Sequence, residues 1–273
     1  LGGFLITPHK KIYYLCGLPR AGNTLFSSII NQNPDISVTA NSVVCDIFCG
    51  TVLIKNTDLY CNYPDEQSLL NVTNNVIQNY YSDWESKYIV DRGVWGLPNN
   101  FEVLKKYAPN DIKIIVLVRD IKEILASFIK FSYSTKNNYI AQQGKTLEER
   151  CAFVMSNDGT LHRWLQAVFN ITRPQHRKYI HLIEYNDLVS NMEGEIDKVY
   201  DYLDIPKFKH EFTNLSQLSN NGLSYNDKSI GGELHTIKTD KVEKNEYDIN
   251  QYLPDNTDTL YKTDPFWRIE CPI

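Results

Sequence analysis

KIYYLCGLPRAGNTLFSSIINQNP, residues Lys11–Pro34, is the stretch whose reading decides the fold. An apolar run from Ile12 to Cys16 enters Gly17-Leu18-Pro19-Arg20-Ala21-Gly22-Asn23-Thr24. A helical pattern follows, with Leu25, Phe26, Ile29 and Ile30 on one broad face. Asn33-Pro34 ends it, because proline disfavours helix in the residue before it. Strand, tight glycine-containing loop and helix together aim backbone N–H groups and the positive end of a helix dipole at one point. That is an anion site, most often a phosphate site.

The spacing sharpens the reading. The phosphate loop of nucleotide triphosphatases is G-x-x-x-x-G-K-[ST]. Gly17, Gly22 and Thr24 fit it, Asn23 stands where the lysine belongs, and the positive charge has moved into the loop at Arg20. The plain alternative is an ordinary strand-to-helix turn with two glycines.

Working outward, short apolar runs alternate with helical patterns. Strands are expected at Ile36–Thr39, Lys87–Asp91, Ile112–Val118 and Tyr179–Ile183. The run IKIIVLV is almost wholly apolar, as a central parallel strand should be. Helices are expected over Val43–Leu53, Glu66–Trp84, Leu97–Tyr107, Ile121–Phe131 and Asn191–Leu203, with one long helix within Thr146–Asn170. Asn56–Pro64 is polar and turn-like. Such alternation implies an α/β fold of three layers, a mostly parallel sheet between helices. No domain-sized break in composition appears along the 273 residues. One domain is therefore expected over 1–273, with a core of about 11–212 and a lid and tail of about 213–273.

Composition excludes some classes. Hydrophobic content of 42% and charged content of 22% are those of a globular protein. A net charge of −5 argues against a nucleic-acid binder, which is usually basic. No apolar run approaches the ~18 residues of a membrane span, and a reducing, cytoplasmic setting is favoured. The first residue is Leu1 rather than methionine, so an upstream targeting or anchor segment stays open. The six cysteines form no C-x-x-C pair and have no adjacent histidines, which argues against zinc. Cys45 and Cys49, one helical turn apart, read as small core residues.

Two further signals lie downstream. Arg119 ends the most apolar strand, and Ser127 follows eight residues later, off the apolar stripe of the next helix. Arginine offers a planar fork to phosphate, and a serine hydroxyl adds a donor. Ser219–Asp248 is rich in Asn, Asp, Lys and Gly, and reads either as a solvated loop or as a lid over a nucleotide.

At these residues the chain resembles the sulfotransferases that use 3′-phosphoadenosine 5′-phosphosulfate (PAPS). Their 5′-phosphosulfate loop reads approximately Pro-[Lys/Arg]-Ser-Gly-Thr-Thr; Pro19, Arg20, Gly22 and Thr24 match, while Ala21 and Asn23 depart. Their 3′-phosphate pattern, near V-x-R-[DN]-P-x-x-x-x-x-S, matches Val118–Ser127 except that Ile121 replaces proline. HLIEYNDL, from His181, resembles the family's strand ending in Tyr-Glu-Asp-Leu, with Tyr185 as the tyrosine near the adenosine and Asn186 in place of glutamate. GGELHTIK, Gly231–Lys238, weakly resembles a C-terminal Gly-Leu-His-x-[Ile/Val]-Arg stretch.

The resemblance implies a PAPS site built from Pro19, Arg20, Ala21, Gly22, Asn23, Thr24, Leu25, Arg119, Ser127 and Tyr185, with Gly231, Gly232 and Lys238 from the lid. PAP (3′-phosphoadenosine 5′-phosphate) would be the product, and no metal would be required. Arg20 would stabilise the leaving phosphate, with Arg92 as a second cation. For the general base three residues compete: Asp46, Asp91 and His235. The acceptor is a hydroxyl or amine of a carbohydrate, peptide, lipid or small molecule. Two rivals stay open. A P-loop kinase would use Mg²⁺, with Tyr88-Ile-Val-Asp91 imitating a Walker B aspartate. A non-catalytic nucleotide-binding protein would need no base.

Overall fold

The computed structural model describes residues 9–108, 110–135, 137–237 and 248–268. Five parallel strands form one sheet in the order β2-β3-β1-β4-β5. They are β1 (Lys11–Leu15), β2 (Ile36–Val38), β3 (Tyr88–Arg92), β4 (Ile114–Val118) and β5 (Ile180–Glu184). Between them lie α1 (Asn23–Ile30), α2 (Val44–Leu53), α3 (Asp58–Asn62), α4 (Glu66–Tyr80), α5 (Pro98–Tyr107), α6 (Ile121–Ser132), α7 (Tyr139–Gln143), α8 (Leu147–Met155) and α9 (His162–Ile171). After β5 come α10 (Tyr185–Ser190) and α11 (Met192–Leu203). The central parallel sheet with flanking helices is the expected α/β architecture.

The strands are apolar on both sides because both sides are covered. All five residues of β4 are buried. In β1 the pleat sends neighbouring side chains to opposite faces. Tyr13 donates its hydroxyl to the Leu203 carbonyl of α11 at 2.9 Å. Tyr14 packs instead on Trp95, with ring centroids 4.8 Å apart.

The chain steps from β1 to β2 in one direction along the sheet, and from β3 to β4 and β4 to β5 in the other. Right-handed crossovers therefore put α1 on one face and α5 and α6 on the other. At the carboxyl end of β1 the neighbouring connections diverge, and the crevice this opens is where α/β folds bind ligands.

Three local expectations are corrected. The long helix expected within Thr146–Asn170 is two helices, α8 and α9. The turn between them, Asn157-Asp158-Gly159, packs so closely on α8 that a Cβ at Gly159 would lie 2.1 Å from the Phe153 carbonyl oxygen. The polar stretch Asn56–Pro64 holds the short helix α3, whose first turn is capped by the Thr57 side chain accepting from the Tyr60 amide. Finally, β3 continues through Arg92 instead of ending at Asp91. The pleat then separates these two residues, with consequences for the site.

Candidate active site

The loop after β1 is held by its own residues. Gly22 caps α1 at φ +84°, and Arg20 also lies in the left-handed region, at φ +62°. That conformation costs a non-glycine residue ~1–3 kcal/mol and clusters at functional sites. Asn23 explains how the loop does without the usual lysine. Its amide turns inward and donates to the Leu18 carbonyl at 2.7 Å, and the residue is buried. Gly17 is needed beneath it, since a Cβ there would lie 2.1 Å from Asn23 Oδ1. The first amides of α1 have no carbonyl within the helix to bond and face the crevice end of the sheet.

A cavity of about 470 Å³ opens at this point. Pro19, Arg20, Gly22, Asn23, Thr24 and Leu25 line it from the loop, with Arg119, Ser127 and Tyr185 from the neighbouring elements. Arg20 Nε donates to Ser127 Oγ at 3.0 Å, and its Nη1 donates to the Leu234 carbonyl of the lid segment. Arg119 Nη1 donates to the Arg20 carbonyl at 3.1 Å, its Nε pairs with Glu123 at 2.8 Å, and its guanidinium lies 4.3 Å from the centroid of the Tyr185 ring. Tyr185 in turn seals the loop: a Cβ on Gly22 would come within 2.9 Å of it.

Arg92 reaches the same cavity from β3. It is only 6% exposed, and its Nη1 donates to Ala40 O and Asn41 Oδ1 at 2.9 Å and to Tyr225 Oη at 3.2 Å. Its guanidinium stacks over Trp164 at 5.2 Å. Its Nε is buried with no hydrogen-bond partner among the described residues, and no carboxylate there pairs with it.

Of the three candidate bases the structure brings one to the cavity. His235 lines it from the lid segment. Its Nδ1 is 2.6 Å from Asp227 Oδ1, its backbone amide donates to Asp227 Oδ2 at 2.8 Å, and its ring stacks on Tyr225 with centroids 3.8 Å apart. Asp227 favours the charged imidazole, but burial together with the nearby Arg92 and Arg20 outweighs it and holds His235 below the ordinary histidine range.

Asp91 is elsewhere. The pleat turns it inward, fully buried, where Tyr81 Oη and Trp95 Nε1 donate to its carboxyl, and burial pushes that carboxyl up. Asp46 lies on the outer side of α2, exposed and paired with Arg163 at 2.6 Å. Neither lines the cavity.

The lid glycines are also displaced from it. Gly231 and Gly232 pack on the turn after α6, where a Cβ on Gly231 would meet the Asn137 carbonyl oxygen at 2.4 Å, and they line an adjoining cleft. Ala21 is fully buried behind the loop. Lys238 lies outside the described residues.

The family-model comparison matches the description "Sulfotransferase domain" over residues 13–246. The chain belongs to the sulfotransferase domain family. A comparison with curated proteins returned no significant match. Among solved structures, the sulfotransferase domain of the curacin biosynthetic pathway aligns at 17% identity and a TM-score of 0.46, covering 73% of this chain and 75% of that one. The sulfotransferase domain of the Synechococcus PCC 7002 olefin synthase aligns at 12% identity and 0.49, covering 97% and 91%. Mouse sulfotransferase SULT7A1, complexed with PAP, aligns at 14% and 0.46, covering 73% and 59%. None is close enough to transfer a residue role, so roles in this sulfotransferase rest on its own geometry.

That geometry contains residues the sequence did not single out. Asn41, Trp164 and Tyr225 surround Arg92, and Asp227 holds His235. No spacing signal marks them, because each meets its partner only through the tertiary fold. Among the described residues, no helix is long and apolar enough to cross a membrane.

Proposed function

We propose that this sulfotransferase moves the sulfuryl group of PAPS to a hydroxyl or amine acceptor by in-line displacement. The observation that carries the reading is the convergence of Arg20, Arg92 and Arg119 on one cavity at the amino end of α1. Three guanidiniums beside free helix amides suit a ligand with several anionic groups. In this reading Arg119 and Ser127 hold the 3′-phosphate, and Tyr185 stands beside them near the adenosine. Arg20, Thr24 and the loop amides hold the 5′-phosphosulfate. The Arg20–Ser127 bond then links the two ends of the donor site, and it must open or be shared as the donor enters.

Charge spreads over oxygens in the transition state and collects on the leaving phosphate, as in phosphoryl transfer. Arg20 and Arg92 are placed to meet it. His235 accepts the acceptor's proton at Nε2, because Asp227 occupies Nδ1 and fixes the ring.

The P-loop kinase reading fares worse on two observations. Asp91, the Walker B mimic, is fully buried and bonded to Tyr81 and Trp95, and Asn23 folds its amide back onto the loop.

Calorimetric titration with PAP, and then with ATP plus Mg²⁺, tests the donor class. Tight metal-independent binding of PAP is expected; preference for Mg-ATP would overturn the reading. Arg119→Ala should weaken PAP by ~10–100-fold, the loss of a charge-assisted phosphate contact of ~1.5–3 kcal/mol. Adenosine 5′-phosphosulfate, which lacks the 3′-phosphate, should be weakened far less. Equal weakening of both would remove the 3′-phosphate role.

A base must be neutral to accept a proton, so activity falls as pH drops through the His235 value. That value lies below the ordinary ~6.5 in the ligand-free protein, so the acidic limb of the kcat/KM profile for PAPS, which reports the free enzyme, is expected below pH ~6.5 with a plateau at neutrality. His235→Ala should abolish that limb, lower kcat by ~10²–10⁴ and leave PAP affinity unchanged. Full activity in this variant would return the base to another group.

A further inference from the structure

The lid segment borders a second cleft, of about 870 Å³, separate from the donor cavity. His235 is common to the two linings. The donor cavity, at about 470 Å³, is at the small end of the ~300–1,000 Å³ that single ligands of drug size occupy. A nucleotide fills such a space, and an acceptor of any size needs room of its own next to the base.

The second cleft has a distinct chemistry. Its frame is held by bonds already made: Thr135 Oγ1 donates to the Gly231 carbonyl, and Gln217 bonds the backbone of Ile237 in both directions. Among the residues lining it are Asn137, Ser224, Asn226, Lys228, Glu233 and Thr236. All six residues are exposed, and no hydrogen bond engages these side chains among the described residues. Leu218 is the one large aliphatic residue in the lining, and the Tyr225 ring is already stacked on His235. Pockets for flat apolar ligands are mostly apolar, and this one is not. Nor is it a cationic groove. Its charged residues are Asp227, Glu233 and Lys228, with Asp227 committed to His235.

We propose that this cleft is the acceptor site and that the acceptor is an uncharged, hydroxyl-rich carbohydrate, one of whose hydroxyls reaches His235 at the junction of the two cavities. The proposal rests on the PAPS reading of the first cavity. Amides and hydroxyls that both donate and accept match sugar hydroxyls, which do the same. An open cleft accommodates an oligosaccharide, only one residue of which need approach the base. In the step itself the sugar oxygen forms a bond to sulfur. The bond from sulfur to the 5′-phosphate oxygen breaks and leaves its electron pair there, and the hydroxyl proton passes to His235 Nε2. The products are a sulfate ester and PAP.

The test uses the full chain and labelled PAPS with four acceptors: a neutral oligosaccharide of hexose and N-acetylhexosamine units, chondroitin as a polyanionic glycan, 4-nitrophenol, and a tyrosine peptide. The neutral oligosaccharide is expected to exceed 4-nitrophenol in kcat/KM by about tenfold or more, since it can make several polar contacts along the cleft that a single phenol cannot. Preference for the phenol, the peptide or chondroitin overturns the acceptor class. Asn226→Trp, which fills the exposed cleft, is expected to raise the acceptor KM by about tenfold or more while PAP binds within about twofold of the parent. An unchanged KM overturns the location. PAP titration of the unmodified protein separates the two readings. Binding of PAP with no transfer to sugar sinks only the acceptor assignment, whereas failure to bind PAP sinks the donor reading beneath it.

Discussion

Replacing Arg20 by alanine should leave a folded protein whose sulfuryl transfer is ~10²–10³-fold slower, the usual cost of removing one preorganised donor from developing negative charge. Arg20 sits in the loop with the amides of α1 on one side and Ser127 Oγ at 3.0 Å on the other. Its backbone is at φ +62°, a conformation that costs a non-glycine residue ~1–3 kcal/mol. The strained residue is one that lines the cavity, and such outliers cluster at functional sites. Arg20→Gly separates the two effects. Glycine relieves the backbone while removing the charge, so this variant should melt no lower than the parent and be as inactive as Arg20→Ala. Arg20→Lys should recover part of the rate, because it restores charge without the fork. Single-turnover transfer from PAPS, with thermal unfolding in parallel, reads all three. Full activity in Arg20→Gly would end the leaving-group role.

The chain's architecture was legible where local chemistry is strong. The loop after β1 announces itself through Gly17, Gly22 and Thr24, and Arg119 with Ser127 through eight-residue spacing on one strand–helix unit. These are features of a single βα unit each, so one stretch of sequence contains them whole. Which of the three candidate bases reaches the cavity was not legible, for the opposite reason. Asp227 and His235 are eight residues apart in a polar segment with no periodicity, and only the fold of that segment over Arg20 and Arg92 brings His235 to the cavity. Asp46 and Asp91 were reasonable candidates by position along the chain. A single step of the β3 pleat and an outward turn of α2 removed them. The break between α8 and α9 shows the same limit: apolar spacing carries across Gly159, and the tight packing that ends α8 there is a tertiary fact.

Arg92→Met should show opposite signs in two measurements, with sulfuryl transfer falling ~10²–10³-fold and thermal stability holding or rising. Arg92 is 6% exposed. Its partners are neutral: Ala40 O, Asn41 Oδ1, Tyr225 Oη and the face of Trp164. A charge taken from water costs several kcal/mol unless an opposite charge answers it, and replacing it with an apolar side chain of similar length is often neutral or stabilising. The lid contact survives the change, because Tyr225 Oη also donates to the Ala40 carbonyl at 3.0 Å. The stability gained, if ~1 kcal/mol, corresponds to a rise of roughly 2–4 °C in Tm for a chain of this size class. Ligand supplies the second half of the argument. An anion that answers the buried cation stabilises the folded state by mass action, so saturating PAPS or PAP should raise the parent's Tm more than the variant's. A variant that melts lower yet transfers at the parent's rate would make Arg92 a structural residue, whose hydrogen bonds to Ala40 and Asn41 serve only to hold the segment after β2. The combination of lost rate, retained fold and reduced ligand stabilisation is what a preorganised electrostatic group produces. The destabilised protein, by contrast, would show that the neutral acceptors around Arg92 already balance its charge.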